Sequence, residues 1–442
     1  MRIDKIEIQN FKRFEKQMLE LHPQFTLLVG DNGAGKTTLL DALAVAAAVW
    51  LVKVPDSTLA SSGRNILTNE IRLDPKKEGD RIQFNECKPV AVLATGQIAG
   101  RDVQWCRQIR KEGARTTNAE AKEALAIIAD VFIRVAGGDK VLCPVIAYYG
   151  AGRSWLPSQH RNPKGKANGP ARRWEAFYDC FEERIRLSDL QDWFQREVIA
   201  FANRGGTWRP GYEVVKMAIL RCIPESEDLW YDGDRAEIVL SIDGKAQPFS
   251  LLSAGQRMMV ALIADIAIKA VTQNAFLLPA DQLGPEDRPW PRILRETPGL
   301  VLIDEVDVHL HPKWQRRVVG DLKETFPSMQ FVATTHSPQV IGEVPADEIR
   351  LMSQTGEITQ PRISMGVDSN WILDHIMPDA ESRDAKTRKL LDDIEEALDA
   401  DDLIAAEKNL REAHDRIQGS DGELTRLESS LESLKMLAHE ND

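Results

Sequence analysis

A chain of 442 residues exceeds what one hydrophobic core usually serves, so two or three lobes are expected. Its hydrophobic share of 43% and charged share of 28% are ordinary globular values, which argues against wholesale disorder. A net charge of −12 excludes a surface coated in basic residues but leaves room for a local basic groove.

The charge is uneven. Residues 381–442 carry 18 acidic and 9 basic side chains, so most of the excess belongs to a C-terminal acidic unit. The five cysteines, Cys87, Cys106, Cys143, Cys180 and Cys222, are widely spaced and form no C-x-x-C pair. They read as buried structural thiols in a reducing, cytoplasmic setting. No signal peptide is visible. The longest apolar run, Ala42 to Val52, is shorter than the about 20 residues a bilayer span needs, so no membrane association is expected.

In chain order, residues 2–9 alternate like a strand, and Phe25–Val29 reads as a buried parallel strand ending in a Gly-rich turn. A helix is expected from Lys36. Short antiparallel strands follow over 81–110, a helix over 115–135 and a buried strand over Val141–Tyr149. Residues 151–173 read as a Gly-, Pro- and base-rich loop, and 174–222 as mostly helical. A hairpin turning at Asp243-Gly244 covers 236–250, and a helix starts after Ser253. Leu300–Ile303 and Phe331–Ala333 are further buried strands with a helix between them. Ile349–Met352 and Ile358–Gln360 form a last hairpin, and the chain beyond about 370 is helical.

Four segments carry chemistry. Gly30-Asp31-Asn32-Gly33-Ala34-Gly35-Lys36-Thr37 fits the phosphate-loop pattern between a strand and a helix. Its glycines let backbone N–H groups approach phosphate oxygens, Lys36 would meet the β- and γ-phosphates, and Thr37 would ligate Mg²⁺. Asn32, Gly33, Gly35, Lys36, Thr37 and Thr38 are therefore the candidate ATP-binding residues. Leu300-Val301-Leu302-Ile303-Asp304-Glu305 ends an apolar strand in two acids. Asp304 suits the Mg²⁺ shell with Thr37, and Glu305 suits a general base. Leu252-Ser253-Ala254-Gly255-Gln256 precedes an apolar helix, 51 positions before Asp304, with Ser253 and the Gly255 N–H as donors at a helix start. Phe331–Ser337 delivers His336 to the sheet edge where open α/β folds bind ligands.

The order of these four motifs resembles the ABC superfamily, with Ala254 in place of the first glycine of the usual signature. Asn10-Phe11-Lys12-Arg13-Phe14 looks like the N-F-x-x-F opening of SMC- and RecF-type heads. Asp307-Val308-His309-Leu310-His311-Pro312 looks like the D-loop of OLD/RecF-like ATPases. The resemblance implies a RecA-like, mostly parallel sheet, an antiparallel β subdomain, a helical signature lobe and a C-terminal helical tail. It makes His336 a switch histidine, Asp307 the D-loop acid, and Lys12 or Arg13 a nucleotide contact, unless these two bases are merely solvated. It also implies a head-to-head homodimer in which a second copy's Ser253 completes each ATP site. No glutamine follows the Val141–Tyr149 strand, where Arg153 stands instead of a Q-loop.

Tyr148–Arg153, Leu190–Phe194 and Gly366–Leu373 resemble stand-alone bacterial AAA-family ATPases of anti-phage defence, the Septu type nearest. That resemblance implies a separate nuclease subunit of HNH type, since neither a Toprim-like domain nor an HNH constellation is visible here. A RecF- or SMC-like DNA maintenance ATPase is the alternative; a transporter subunit fits poorly. The expected parts are 1–150 with the phosphate loop, 151–294 with the signature, 295–375 with the acid pair and His336, and a tail over 376–442.

Two further segments stay open. Arg153, Arg161, Lys164, Lys166, Arg172 and Arg173, edged by Trp155 and Trp174, suit DNA or simply a solvated loop. Leu424, Leu427, Leu431, Leu434 and Ala438 recur at 3-4-3-4 spacing. That seam needs a surface, either the chain's own head, a partner or a second copy.

Overall fold

The computed structural model describes residues 1–56, 63–78, 81–152, 173–278, 290–377, 383–400, 402–417, 419 and 421–440. By internal contacts the chain divides into two compact units, Met1–Asp368 and Ser369–Asp442.

The first unit is built on strands β1 (Arg2–Phe11), β2 (Phe14–Glu20), β3 (Phe25–Gly30), β4 (Leu73–Glu78), β5 (Arg81–Glu86), β6 (Val90–Ile98), β7 (Arg101–Ile109), β8 (Thr117–Glu120), β9 (Val145–Tyr149), β10 (Ser226–Asp232), β11 (Glu237–Ile242), β12 (Lys245–Pro248), β13 (Gly299–Ile303), β14 (Met329–Thr335), β15 (Ile349–Met352) and β16 (Ile358–Thr359). Six of them form one sheet in the order β16-β15-β3-β14-β13-β9. Five are parallel and β16 is an antiparallel edge. Strands β9, β13 and β14 are buried along their whole length, which is why they read as unbroken apolar runs. A second sheet, β2-β1-β6-β7-β8, is antiparallel, so the α/β head with an antiparallel subdomain is observed directly.

The helix Lys36–Ala47 lies between the two sheets, with eleven of its twelve residues buried. From Leu39 on it is apolar except at Asp41, and a helix apolar on most faces belongs in such a buried place. Its C-terminal carbonyls are satisfied by side chains from β7. Trp105 donates to Ala46 O at 3.0 Å, and the guanidinium of buried Arg107 donates to Val45 O at 2.7 Å. Arg107 also donates to Arg64 O, Asn65 Oδ1 and Asn118 Oδ1. Burial, followed by the repulsion of Arg64, lowers the Arg107 pKa to about 10.

Some boundaries differ from the sequence reading. The strand expected from Val141 begins at Val145, because Pro144 has no N–H to enter a ladder. The helix expected from 115 begins at Lys122, and Thr117–Glu120 instead pairs with β7. Ser226–Asp232 adds a third strand to the 236–250 hairpin, beside the helices Leu187–Asn203, Pro210–Cys222 and Ala254–Gln273. Four of the cysteines are buried and Cys87 is half-buried, all as free thiols. Of the basic loop, 153–172 lie outside the described residues. Arg173 is turned inward, donating to Gln273 O at 2.5 Å and Asp139 O at 3.2 Å. No helix among the described residues is long and apolar enough to cross a membrane.

The second unit corrects the reading of the leucine seam. Leu424, Leu427 and Leu431 on the helix Gly422–Glu440 are buried against Leu391, Ile394 and Leu398 of Ala385–Asp399 and Leu410 of Leu403–Arg416. The seam is therefore occupied by the tail's own helices, because three amphipathic stripes joined in sequence by short loops cover one another. Ala438 has no described side chain. Asp384, Asp402 and Asp421 each accept from a backbone N–H in the first turn of one helix, those of Thr387, Ala405 and Leu424. Part of the tail's acidity thus caps helices.

Leu427→Ala is expected to cost the tail about 2–4 kcal/mol through the cavity it leaves. Hydrogen exchange on the full chain should show protection lost over 385–440 and retained in β3, β13 and β14. Unchanged protection over 385–440 would show that the seam does not hold the bundle.

Candidate nucleotide site

A cavity of about 250 Å³ opens at the carboxyl ends of β3, β13 and β14, lined by Lys12, Arg13, Asn32, Gly33, Gly35, Lys36, Thr37, Thr38, Asp304, Glu305, Thr334 and His336. Strand polarity explains the convergence. In parallel strands the following loops all emerge at one sheet edge, at the same level.

The phosphate loop leaves β3 through three positive-φ glycines, Gly30, Gly33 and Gly35. Gly35 must be glycine twice over, since a Cβ there would lie 2.4 Å from the Phe14 ring. Lys36 Nζ donates to the carbonyls of Gly30 and Asp31 at 2.7 and 2.9 Å. Burial first lowers the Lys36 pKa, while Asp304, Asp31 and Glu305 oppose that shift.

Asp304 is held by hydroxyls on both oxygens, Thr37 Oγ1 donating at 2.9 Å and Thr334 Oγ1 at 2.6 Å. A carboxylate between two hydroxyls is a hard-oxygen set that fits Mg²⁺. Glu305 sits at φ 50°, a left-handed conformation unusual outside glycine, and its N–H donates to Thr334 Oγ1 at 2.7 Å. Thr334 therefore serves both acids. It was missed in the sequence because a threonine in a buried strand is ordinary; its place directly before Thr335-His336 was the available signal.

His336 is half-buried at the cavity edge. Burial, then the Lys36 charge, lowers its pKa below 6.5, against the pull of nearby acids. Asp307 accepts a hydrogen bond from the Thr335 hydroxyl and does not line the cavity.

Lys12 and Arg13 both line the cavity and are engaged with the chain, which goes beyond simple solvation. Lys12 Nζ pairs with Asp41 and lies 3.6 Å from Glu70, while Arg64 pairs with the same two acids. Asp41 and Glu70 are buried. Arg13 Nη2 donates to Gln354 O at 2.6 Å, and its guanidinium lies 5.6 Å from the Phe14 ring centre. This balanced cluster of two acids and two bases was not legible in the sequence, since its members come from three segments, around Lys12, Asp41 and 64–70.

The structure does not bring Ser253 or Gly255 to this cavity. Ser253 is exposed at the start of the helix Ala254–Gln273, where its hydroxyl accepts from Gln256 N at 3.2 Å. Gly255 packs on the segment after β13, and a Cβ there would lie 2.5 Å from His309 O.

Two family models match the chain. An AAA domain matches residues 5–197, and an AAA domain whose description names the AbiEii toxin and Type IV TA system matches residues 237–342. Every residue that lines the cavity falls within one or the other of these two matches, and what the chain is similar to is an AAA-domain ATPase.

Among curated relatives, the chain is 24% identical over 450 residues to Retron Ec83 probable ATPase of Escherichia coli, covering 86% of this chain and 77% of that protein. It is 24% identical over 362 residues to Septu protein PtuA of Bacillus mycoides (strain KBAB4), covering 80% of this chain but only 41% of that protein. A 107-residue stretch is 38% identical to Retron Vc95 probable ATPase of Vibrio cholerae serotype O1 biovar El Tor, covering 23% of this chain and 17% of that protein. A solved SMC head domain from Thermotoga maritima aligns over 82% of this chain and all of its own, with a TM-score of 0.43 and 15% identity.

His336 should titrate below pH 6.5 by NMR, and Lys36→Ala should move it upward, because one opposing charge is removed. As pH falls below 6.5 the unfolded chain takes up this proton before the folded chain does, so the contribution of His336 to stability declines. An unchanged His336 titration in Lys36→Ala would refute the assigned charge coupling.

Proposed function

We propose that the chain binds ATP with Mg²⁺ in this cavity, hydrolyses it between two copies of itself, and uses that cycle to control a separate nuclease subunit in anti-phage defence. The observation that carries the reading is the meeting of Lys36, Thr37, Asp304, Glu305 and His336 in one cavity at one sheet edge.

Lys36 exchanges its loop carbonyls for phosphate oxygens, which need the cation more than neutral carbonyls do. Thr37 and Asp304 would hold Mg²⁺, whose chemistry is to neutralise charge developing on the phosphoryl oxygens. Glu305 takes a proton from the attacking water, and its constrained backbone limits the positions its carboxylate reaches. His336, kept neutral by burial, offers one ring nitrogen as acceptor and the other as donor toward the phosphate.

The exposed helix start at Ser253 supports assembly around the nucleotide. An anion-binding helix terminus that lines no part of its own cavity suits the cavity of a second copy. Defence as the setting draws support from relatives named as retron and Septu proteins. The HNH class of the partner, cytoplasmic location and DNA contact through 151–173 belong to the same proposal.

Lys36→Ala should abolish tight ATP binding by calorimetry. Glu305→Gln should bind ATP normally but release phosphate ~10²–10⁴ more slowly. Ser253→Arg should bind ATP yet fail to dimerise with it or hydrolyse it. Mixing Ser253→Arg with Lys36→Ala should restore measurable hydrolysis, since one composite site of the mixed dimer carries neither lesion. Mixed dimers without any recovery would refute the shared site. Affinity purification of the full chain from its native cells, followed by mass spectrometry, tests the nuclease; a partner with no nuclease activity would refute that part.

A further inference from the structure

The turn Ser353–Glu357 between β15 and β16 belongs to none of the nucleotide motifs, yet it walls the outer side of the phosphate loop. Strand β15 runs parallel to β3 with Met352 opposite Gly30. The approach is so close that a Cβ on Gly30 would lie 2.3 Å from Met352 O. Just past that point Gln354 makes two contacts. Its side-chain Nε2 donates to Asn32 O at 3.0 Å, and its own carbonyl accepts from Arg13 Nη2 at 2.6 Å. The turn is braced internally, with Ser353 N donating to Glu357 O and Glu357 N donating to Ser353 Oγ, each at 3.0 Å.

The Asn32–Gly33 peptide is trans, as the one cis bond among the described residues is Lys88–Pro89. A trans peptide directs its C=O and N–H to opposite sides. Gln354 holds the Asn32 carbonyl on the side of the turn, so the Gly33 N–H faces the other way, and both residues line the cavity. The Asp31–Ala34 turn around this peptide is closed by Ala34 N donating to Asp31 O at 3.2 Å, a bond that a β-turn keeps in either orientation of its central peptide. Gly33 sits at φ +80°, with nothing within 4 Å of where a Cβ would be. With a glycine in open space after it, this central peptide can flip within the closed turn unless its carbonyl is tethered.

We propose that Gln354 is a positioning residue for the nucleotide phosphates. It touches no ligand. It fixes the orientation of the Asn32–Gly33 peptide, so that the Gly33 N–H is aimed before phosphate arrives and no ordering cost is left for binding. The role rests on the reading of the cavity as a nucleotide site.

The test uses the full-length chain, with Mg²⁺–ATP and Mg²⁺–ADP titrated by calorimetry and hydrolysis measured at saturating ATP. Gln354→Ala should raise Kd and KM roughly three- to tenfold, the size of one modest hydrogen bond. The loss should be equal for ADP and ATP, because a loop amide serves phosphates that both nucleotides carry. The rate at saturation should stay near wild type, the pattern of an interaction made equally in ground and transition states. Gln354→Glu should bind more weakly than Gln354→Ala, since a carboxylate then faces the Asn32 carbonyl. Gln354 is exposed, so the melting temperature should not move in either variant. Wild-type affinities in both variants, or losses that track a fall in melting temperature, would overturn the assignment of Gln354. Failure of the wild-type chain to bind either nucleotide would instead overturn the reading of the cavity.

Discussion

The helix Lys36–Ala47 can occupy one place only. It is buried on nearly every face, eleven residues of its twelve, so it lies between two sheets, and the rest of the head is arranged to provide them. The parallel sheet covers one side through β3, β13 and β14, and the antiparallel sheet covers the other through β1, β6 and β7. Burying a helix end to end raises the matter of its terminal backbone groups, which water cannot reach. At the C-terminal end Arg107 and Trp105 supply donors, and a positive charge there also suits the helix dipole. At the N-terminal end the loop 30–35 leaves the N–H groups facing a cavity. The proposed anion site is thus a consequence of how the central helix is accommodated.

The same constraint accounts for the charges around the cavity. Asp41 lies on the buried helix and cannot reach bulk water, so Arg64 and Lys12 come to it, and Glu70 balances the second base. Removing one member of such a set would strand a buried charge, which is far more costly than the set's net contribution to stability. Lys12 is therefore tied to the wall of the cavity by the requirements of the helix behind it. Asp304 and Glu305 are adjacent in sequence but held differently. Two hydroxyls fix the Asp304 carboxylate, while the Glu305 backbone takes a left-handed turn that a hydrogen bond to Thr334 maintains. One strand end thereby presents two acids in distinct settings, which is what separate metal-holding and proton-accepting roles require.

The second unit, Ser369–Asp442, has a core and charge pairs of its own. Its leucines meet one another across three helices, and aspartates at the helix starts offset the dipoles. Arg416 bridges back to Asp384 at 2.6 Å, and Arg426 reaches Glu395 at 3.0 Å. The Asp384 pKa is lowered to about 2, first by the Thr387 hydroxyl and then by Arg416.

The phosphate loop, the acid pair after β13 and His336 were legible in the sequence because each depends on local chemistry: a glycine pattern between strand and helix, or a polar residue ending an apolar run. Strand polarity then brings such segments to one edge whatever lies between them. Tertiary structure alone decided the remainder. Thr334, Gln354 and the Lys12–Asp41–Arg64–Glu70 cluster act through partners distant in the chain, and no spacing rule announces which distant carbonyl or carboxylate a side chain will meet. The leucine repeat from Leu424 showed that a surface was needed, but a periodic apolar stripe is satisfied equally by any complementary stripe. Which stripe it found was decided by proximity along the chain, where the two preceding helices had the lowest entropic cost of reaching it.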